Sequence, residues 1–168
     1  KALNVPLETR AKQIAYNLER WRWLPSQIED NRVWVDLTNY QADVHLNGQT
    51  ESMKVVIGKP DRKTNVFYGK MTYMVANPTW RVPMRIAREN LLPKIQQDPE
   101  YLAKNNYKVF SSWSIGAKQL NPSHIDWKKI EPENLRYRFE QQADEENALG
   151  AYKFMFPNKF DIYLHDTP

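Results

Sequence analysis

The sequence predicts a mixed α+β domain, rich in strands, in which a long helical stretch interrupts a sheet. Three observations predict it: an amphipathic stripe after Pro6, a change to period two between Arg32 and Ile57, and the loss of that period from Trp80 to about Glu146. With 168 residues, 41% of them hydrophobic and 26% charged, the chain fits one core of ordinary size. The boundaries that follow are one domain over 1–168, with an N-terminal helix in 1–30, a sheet core in 31–80 and 147–168, and the insertion in 81–146.

Each element has its own signal. Leu7, Ala11, Ile14, Leu18 and Trp21 are spaced four, three, four and three residues apart, which paints one face of a helix running to Trp23 and ended by Leu24-Pro25. Such a stripe is expected to pack on a sheet, although the Arg20-Trp21-Arg22-Trp23 run also suits a neighbouring domain. Val33, Val35 and Leu37 alternate with Trp34 and Asp36, and Val44 and Leu46 alternate with Asp43 and His45. Asn47-Gly48 is a hairpin signal before Ser52–Ile57, so three antiparallel strands are expected. Val66 to Ala76 reads as a further strand ending at Asn77-Pro78.

In the insertion, Ile86, Leu91, Leu92 and Ile95 suggest a helical segment despite Pro93. Asp98-Pro99 opens a short helix through Tyr101 and Leu102. Helical turns are expected at Ser123–Trp127 and Pro132–Leu135. A stretch this long between two parts of a sheet is an inserted subdomain of the kind that forms lids or binding walls. The chain closes on Gly150 to Pro168, read as a strand, a turn at Pro157-Asn158 and a second strand. Alternation puts Phe160, Ile162 and Leu164 on one face of that second strand, and Asp161, Tyr163 and His165 on the other.

Composition excludes several classes. A net charge of +4 with both signs interspersed and no Lys/Arg block argues against nucleic acid. The absence of cysteine excludes disulfides and cysteine-ligated zinc within these residues, and three dispersed histidines make any zinc site improbable. No apolar run has the length of a membrane span. The first residues lack a secretory pattern, and a start at Lys1 rather than methionine favours removal of a targeting segment over a cytosolic protein. The Gly58-Lys59 pair lacks phosphate-loop spacing, no Gly-x-Ser-x-Gly elbow is present, and no carboxylate pair stands in a glycosidase context. His45, beside a hairpin turn, reads as solvated, and His124 as a capping or surface residue. His165, at a strand end beside Tyr163, has the placement of a general base without a nucleophile.

Val56–Pro60 with Thr64, Asn77–Pro83, Leu91–Ile95, Asn147–Gly150, Lys153–Asn158 and Tyr163–Pro168 together resemble the catalytic domain of the YcbB-type L,D-transpeptidases, of the YkuD family. The resemblance runs from Glu19-Arg-Trp-Arg-Trp23 to the last residue. It implies a β-sandwich interrupted by a capping subdomain, no cofactor, and cysteine acyl transfer forming 3→3 peptidoglycan cross-links. The partners implied are a tetrapeptide stem as donor, a diaminopimelate side chain as acceptor, and carbapenems as inhibitors that acylate the same sulfur. The place implied is the periplasm or envelope of a Gram-negative bacterium, with a part in cell-wall biogenesis and cell shape.

By the same resemblance His165 is the base, Asp166 offers the backbone carbonyl that orients it, Tyr163 lines the pocket, and Trp80 and Asn77 belong to its outer wall. The family's Ser-x-Gly-Cys-x-Arg motif has no counterpart in these 168 residues. The expectation is therefore a domain that lacks its C-terminal segment and is inactive as this chain alone. The alternative is a cysteine-less module that binds stem peptides without cutting them.

Overall fold

A computed structural model describes residues 4–168. The chain forms two compact units: one holds the residues up to Lys70 with Asn158–Ile162, the other Met71–Pro157 with Tyr163–Pro168.

In the first unit, helix α1 (Leu7–Trp21) begins directly after Pro6, whose extended backbone cannot continue a helix upstream. None of its residues is buried, and Leu7, Ile14 and Leu18 are exposed. The expected burial of this stripe on a sheet is thus corrected; its end makes a ring contact, where Trp21 stacks on Trp34 at 5.6 Å. The three strands expected next are present as an antiparallel meander of β1 (Arg32–Asp36), β2 (Gln41–Leu46) and β3 (Gln49–Lys54). Asn47 and Gly48 take φ of 51° and 77°, the two left-handed positions of the tight hairpin turn that pairs Leu46 with Gln49. The preceding turn is held by Asp36, whose carboxylate accepts from the Thr38 and Asn39 amides at 2.8 and 3.1 Å. Those donors hold its pKa below the usual value, the Thr38 amide foremost.

The second unit carries two sheets. One is β4 (Tyr73–Ala76), β9 (Tyr152–Met155) and β10 (Leu164–His165), in the order β10-β9-β4 and antiparallel throughout. The strand expected from Val66 is shorter than its composition suggests, since its ladder register with β9 covers Tyr73–Ala76. The second strand of the terminal hairpin is shorter too. Asp161 turns into the left-handed region at φ 54°, which breaks the alternation before it reaches Tyr163. Asn158 stabilises that bend within its own segment: its side chain accepts from the Phe160 amide at 3.0 Å and donates to the Ile162 carbonyl at 2.6 Å.

The stretch 81–146 contains the expected helical pieces and a four-stranded sheet besides. Helices α2 (Met84–Ile86), α3 (Leu92–Gln97) and α4 (Tyr101–Lys104) lie with β5 (Trp80–Arg81), β6 (Tyr107–Phe110), β7 (Gln119–Leu120) and β8 (Arg138–Gln141), the sheet order being β5-β8-β6-β7. A π-turn over Ala87–Leu91 precedes Pro93, whose ring and missing N–H disfavour a continuous α-helix there. Ala87, Leu91, Leu92 and Ile95 are consequently all buried, together with Val82, Leu102, Val109, Trp127, Leu135 and Phe139. Trp127 is fixed by its indole N–H, which donates to the Pro122 carbonyl at 3.0 Å, and by the edge of Tyr137.

Candidate active site

In an antiparallel sheet, directly opposed residues point to the same side and their neighbours in sequence to the other. The register aligns Val75 with Lys153 and Lys153 with His165; one position along it aligns Met74, Phe154 and Leu164. One face of β4-β9-β10 therefore presents Val75, Lys153 and His165 side by side, and the other presents Met74, Phe154 and Leu164. The register also puts Tyr73 and Met155 on the first face.

His165 is exposed, and its Nδ1 lies 2.5 Å from the backbone carbonyl oxygen of Asp166. A carbonyl only accepts, so Nδ1 carries the proton and donates. The neutral ring then keeps its lone pair on Nε2, free to take a proton from a nucleophile. Tyr163 stands beside it, with ring centres 5.7 Å apart and planes tilted by 56°. Lys153 extends over the same tyrosine, Nζ 3.8 Å from the ring centre. Partial burial pulls the Lys153 ammonium below the ordinary lysine value.

The residue that orients His165 is itself held by the chain returning from the insertion. Asn147 is fully buried; its side-chain amide donates to the Gln142 carbonyl at 2.7 Å and its oxygen accepts from the Leu149 amide at 2.8 Å. The turn so formed ends at Gly150, with φ 59°, whose amide donates to the Asn147 carbonyl at 2.8 Å. A Cβ on Gly150 would lie 2.7 Å from Asp166 Cβ and 2.8 Å from its backbone carbon. Asp166 accordingly packs directly on a glycine that has no side chain to keep it away. Its amide donates to the Tyr152 carbonyl at 3.0 Å, and its carboxylate accepts from the Ala151 amide at 3.3 Å.

Asn77 belongs to the same corner: at φ 48° it ends β4 and donates its amide to the Ala151 carbonyl at 2.8 Å. Its side chain is exposed. Trp80 is half-buried and packs against the apolar core of the insertion. The structure thus brings His165, Asp166 and Tyr163 into contact, joins Asn77 to them through the backbone at Ala151, and sets Trp80 in the packing of the insertion. His45 shares a hydrogen bond with Thr50 across the hairpin at 2.9 Å, and His124 lies in a 3-10 turn capped by Asn121. Among the described residues no group of three His, Cys, Asp or Glu side chains is placed to hold a metal.

Sequence reasoning passed over Lys153 and Gly150 as site residues. The signal for Lys153 was its position, one cation within the β-forming run Tyr152-Lys-Phe-Met155. An open groove of about 560 Å³ also exists in the insertion, between Ile95, Leu102, Tyr107, Ile125 and Trp127, and no nominated site residue lines it.

Residues 30–168 match the family model of the L,D-transpeptidase catalytic domain, YkuD. Over 159 residues the chain is 36% identical to a Haemophilus influenzae protein that carries the name of an L,D-transpeptidase. That match covers 94% of this chain and 31% of the relative, so the chain spans about a third of that protein's length.

Proposed function

The chain belongs to the YkuD family of L,D-transpeptidase catalytic domains, and on that premise we propose that it holds the proton-transfer half of a cysteine acyl-transfer site acting on peptidoglycan stem peptides. The observation that carries this reading is the Nδ1 contact of His165 with the Asp166 carbonyl, which leaves Nε2 as the basic nitrogen. The nucleophile is a cysteine thiolate from outside these 168 residues, which contain none.

Nε2 takes the thiol proton as sulfur attacks the carbonyl carbon of the third stem residue. The tetrahedral adduct collapses, the amide C–N bond breaks, and the imidazolium returns the proton to the departing D-alanine amine. A diaminopimelate amine of a second stem then attacks the thioester and gives its proton to Nε2. The C–S bond breaks, a 3→3 cross-link forms and the thiolate is regenerated. Tyr163 lines this site, Asn77 and Trp80 form its outer wall, and residues 81–146 cap it. The same reading assigns the reaction to the periplasm of a Gram-negative bacterium.

The test is made on the whole protein that contains this domain. Incubation with a carbapenem is expected to add the mass of one drug molecule covalently, since the ring-opened drug occupies the same sulfur. An unmodified mass at saturating drug would overturn the acyl-transfer reading and favour the cysteine-less module that holds stems without cutting them.

A further inference from the structure

Lys153 is a cation placed where the reaction scheme gives it nothing to do. It is directly opposite His165 in the sheet register, so both side chains leave the same face. Its Nζ lies over the Tyr163 ring at 3.8 Å, and that ring is 5.7 Å from the His165 ring, which puts the ammonium within about 10 Å of the imidazole, inside one screening length. The ring face attracts the charge without using its three N–H donors. Among the described residues no carboxylate pairs with Lys153; the nearby acid, Asp166, is engaged with the Ala151 amide. Partial burial weakens the hydration of this ammonium, so an anion that reaches it gains more than it would at a fully exposed lysine. The downward shift of its pKa has burial as its cause and no acidic neighbour opposing it.

We propose that Lys153 recognises a free carboxylate of the stem peptide, Tyr163 holding the ammonium beside His165 to receive it. This rests on the reading of the site as a stem-peptide site, and adds what the cation selects. A tetrapeptide stem offers that group at two places: the terminal D-alanine, and the free carboxylate at the far end of the diaminopimelate side chain. Both present the same chemistry to an ammonium, and a charge-assisted hydrogen bond to either is worth about ten- to a hundredfold in affinity.

The test compares three tetrapeptides on the whole protein: the free acid, one amidated at the terminal D-alanine, and one amidated at the diaminopimelate side chain. Binding by calorimetry and turnover by chromatography are measured for wild type, Lys153→Met and Lys153→Arg. Wild type is expected to lose about ten- to a hundredfold in affinity for one of the two amides, which identifies the carboxylate engaged. Lys153→Met should lose a similar factor on the free acid and no longer distinguish that amide, while Lys153→Arg, still cationic, retains part of the discrimination. Equal binding of all three peptides by wild type, which needs no variant to fold, would overturn the proposal, as would full discrimination by Lys153→Met. Carboxylate-dependent binding without turnover would instead leave Lys153 in place and refute acyl transfer. Turnover indifferent to amidation would do the reverse, and neither binding nor turnover would refute both.

Discussion

At the scale of single residues, the proposed site depends on one imidazole whose Nδ1 contacts the carbonyl of the next residue. Because His165 Nδ1–H donates to the carbonyl of the next residue, substitution of Asp166 alone leaves that acceptor in place, whereas loss of the ring removes the base. His165→Ala in the whole protein is expected to slow carbapenem acylation by about 10²–10⁴-fold, the usual contribution of a positioned base. The side chain is exposed, so circular dichroism and thermal unfolding should stay close to wild type. Acylation at the unchanged rate would remove His165 from the proton-transfer role. The pairing of histidine and tyrosine was legible because Tyr163, Leu164 and His165 alternate and so put the two rings on one face, whereas the Asp166 carbonyl was expected only from the family resemblance. Lys153 was not, because its approach to Tyr163 depends on register between β9 and β10, which no local pattern specifies.

At the scale of elements, the meander's three strands and its tight turn were legible, but the third strand runs over Gln49–Lys54 rather than the expected Ser52–Ile57. Period-two alternation marked β1 and β2, and Asn47-Gly48 named its own turn. The strand expected from Val66 and the one expected from Phe160 were both overextended, for the same physical reason: β-forming residues extend a strand only where a partner supplies hydrogen bonds. Upstream of Tyr73 the ladder ends with the Thr72 amide, which donates to the Met155 carbonyl at 2.8 Å, and before Tyr163 the left-handed Asp161 ends it. The corner that positions Asp166 is also a matter of elements, since the turn ending at Gly150 meets Asp166 directly after β10. Gly150→Ala would force a methyl to 2.7 Å from Asp166 Cβ while holding an L-residue at φ 59°. It is expected to cost about 1–3 kcal/mol of stability and to shift the Asp166 carbonyl. Misplacing the imidazole by this route should lower acylation by about 10²-fold. Chemical denaturation and acylation kinetics check the two effects separately, and wild-type values in both would show that Asp166 yields without affecting His165.

At the scale of the whole molecule, the sequence pattern concealed the four-stranded sheet in the stretch expected to be an insertion. Arg138-Phe-Glu-Gln141 is buried at three of four positions, two of them polar, so no alternation of apolar and polar residues announces β8. Both polar side chains find partners in the fold, although the buried Arg138 Nε has none: Arg138 pairs through its Nη1 with Glu140 at 2.9 Å and covers the Phe110 ring, and Gln141 donates to the Glu146 carbonyl at 3.1 Å. One phenol in this unit gives its stability a pH signature. Burial, with the nearby Tyr101 and Asp144 adding to it, raises the pKa of Tyr107 from 10.0 to about 12. Between those two values the unfolded chain loses the phenolic proton while the folded chain keeps it, so the unfolded state binds fewer protons and the free energy of unfolding falls as pH rises. The contribution is intact below pH 10.0 and is lost progressively as pH climbs to about 12. The difference between wild type and Tyr107→Phe isolates this phenol and is the informative quantity. Denaturant unfolding followed from pH 9 to 12 should show a steeper decline for wild type than for Tyr107→Phe. In ultraviolet titration of the folded proteins, the difference between wild type and Tyr107→Phe should show the Tyr107 phenolate appearing near pH 12 rather than near 10.0. Parallel declines in the two proteins would mean that Tyr107 ionises freely, and that the space around it in the insertion is open to water.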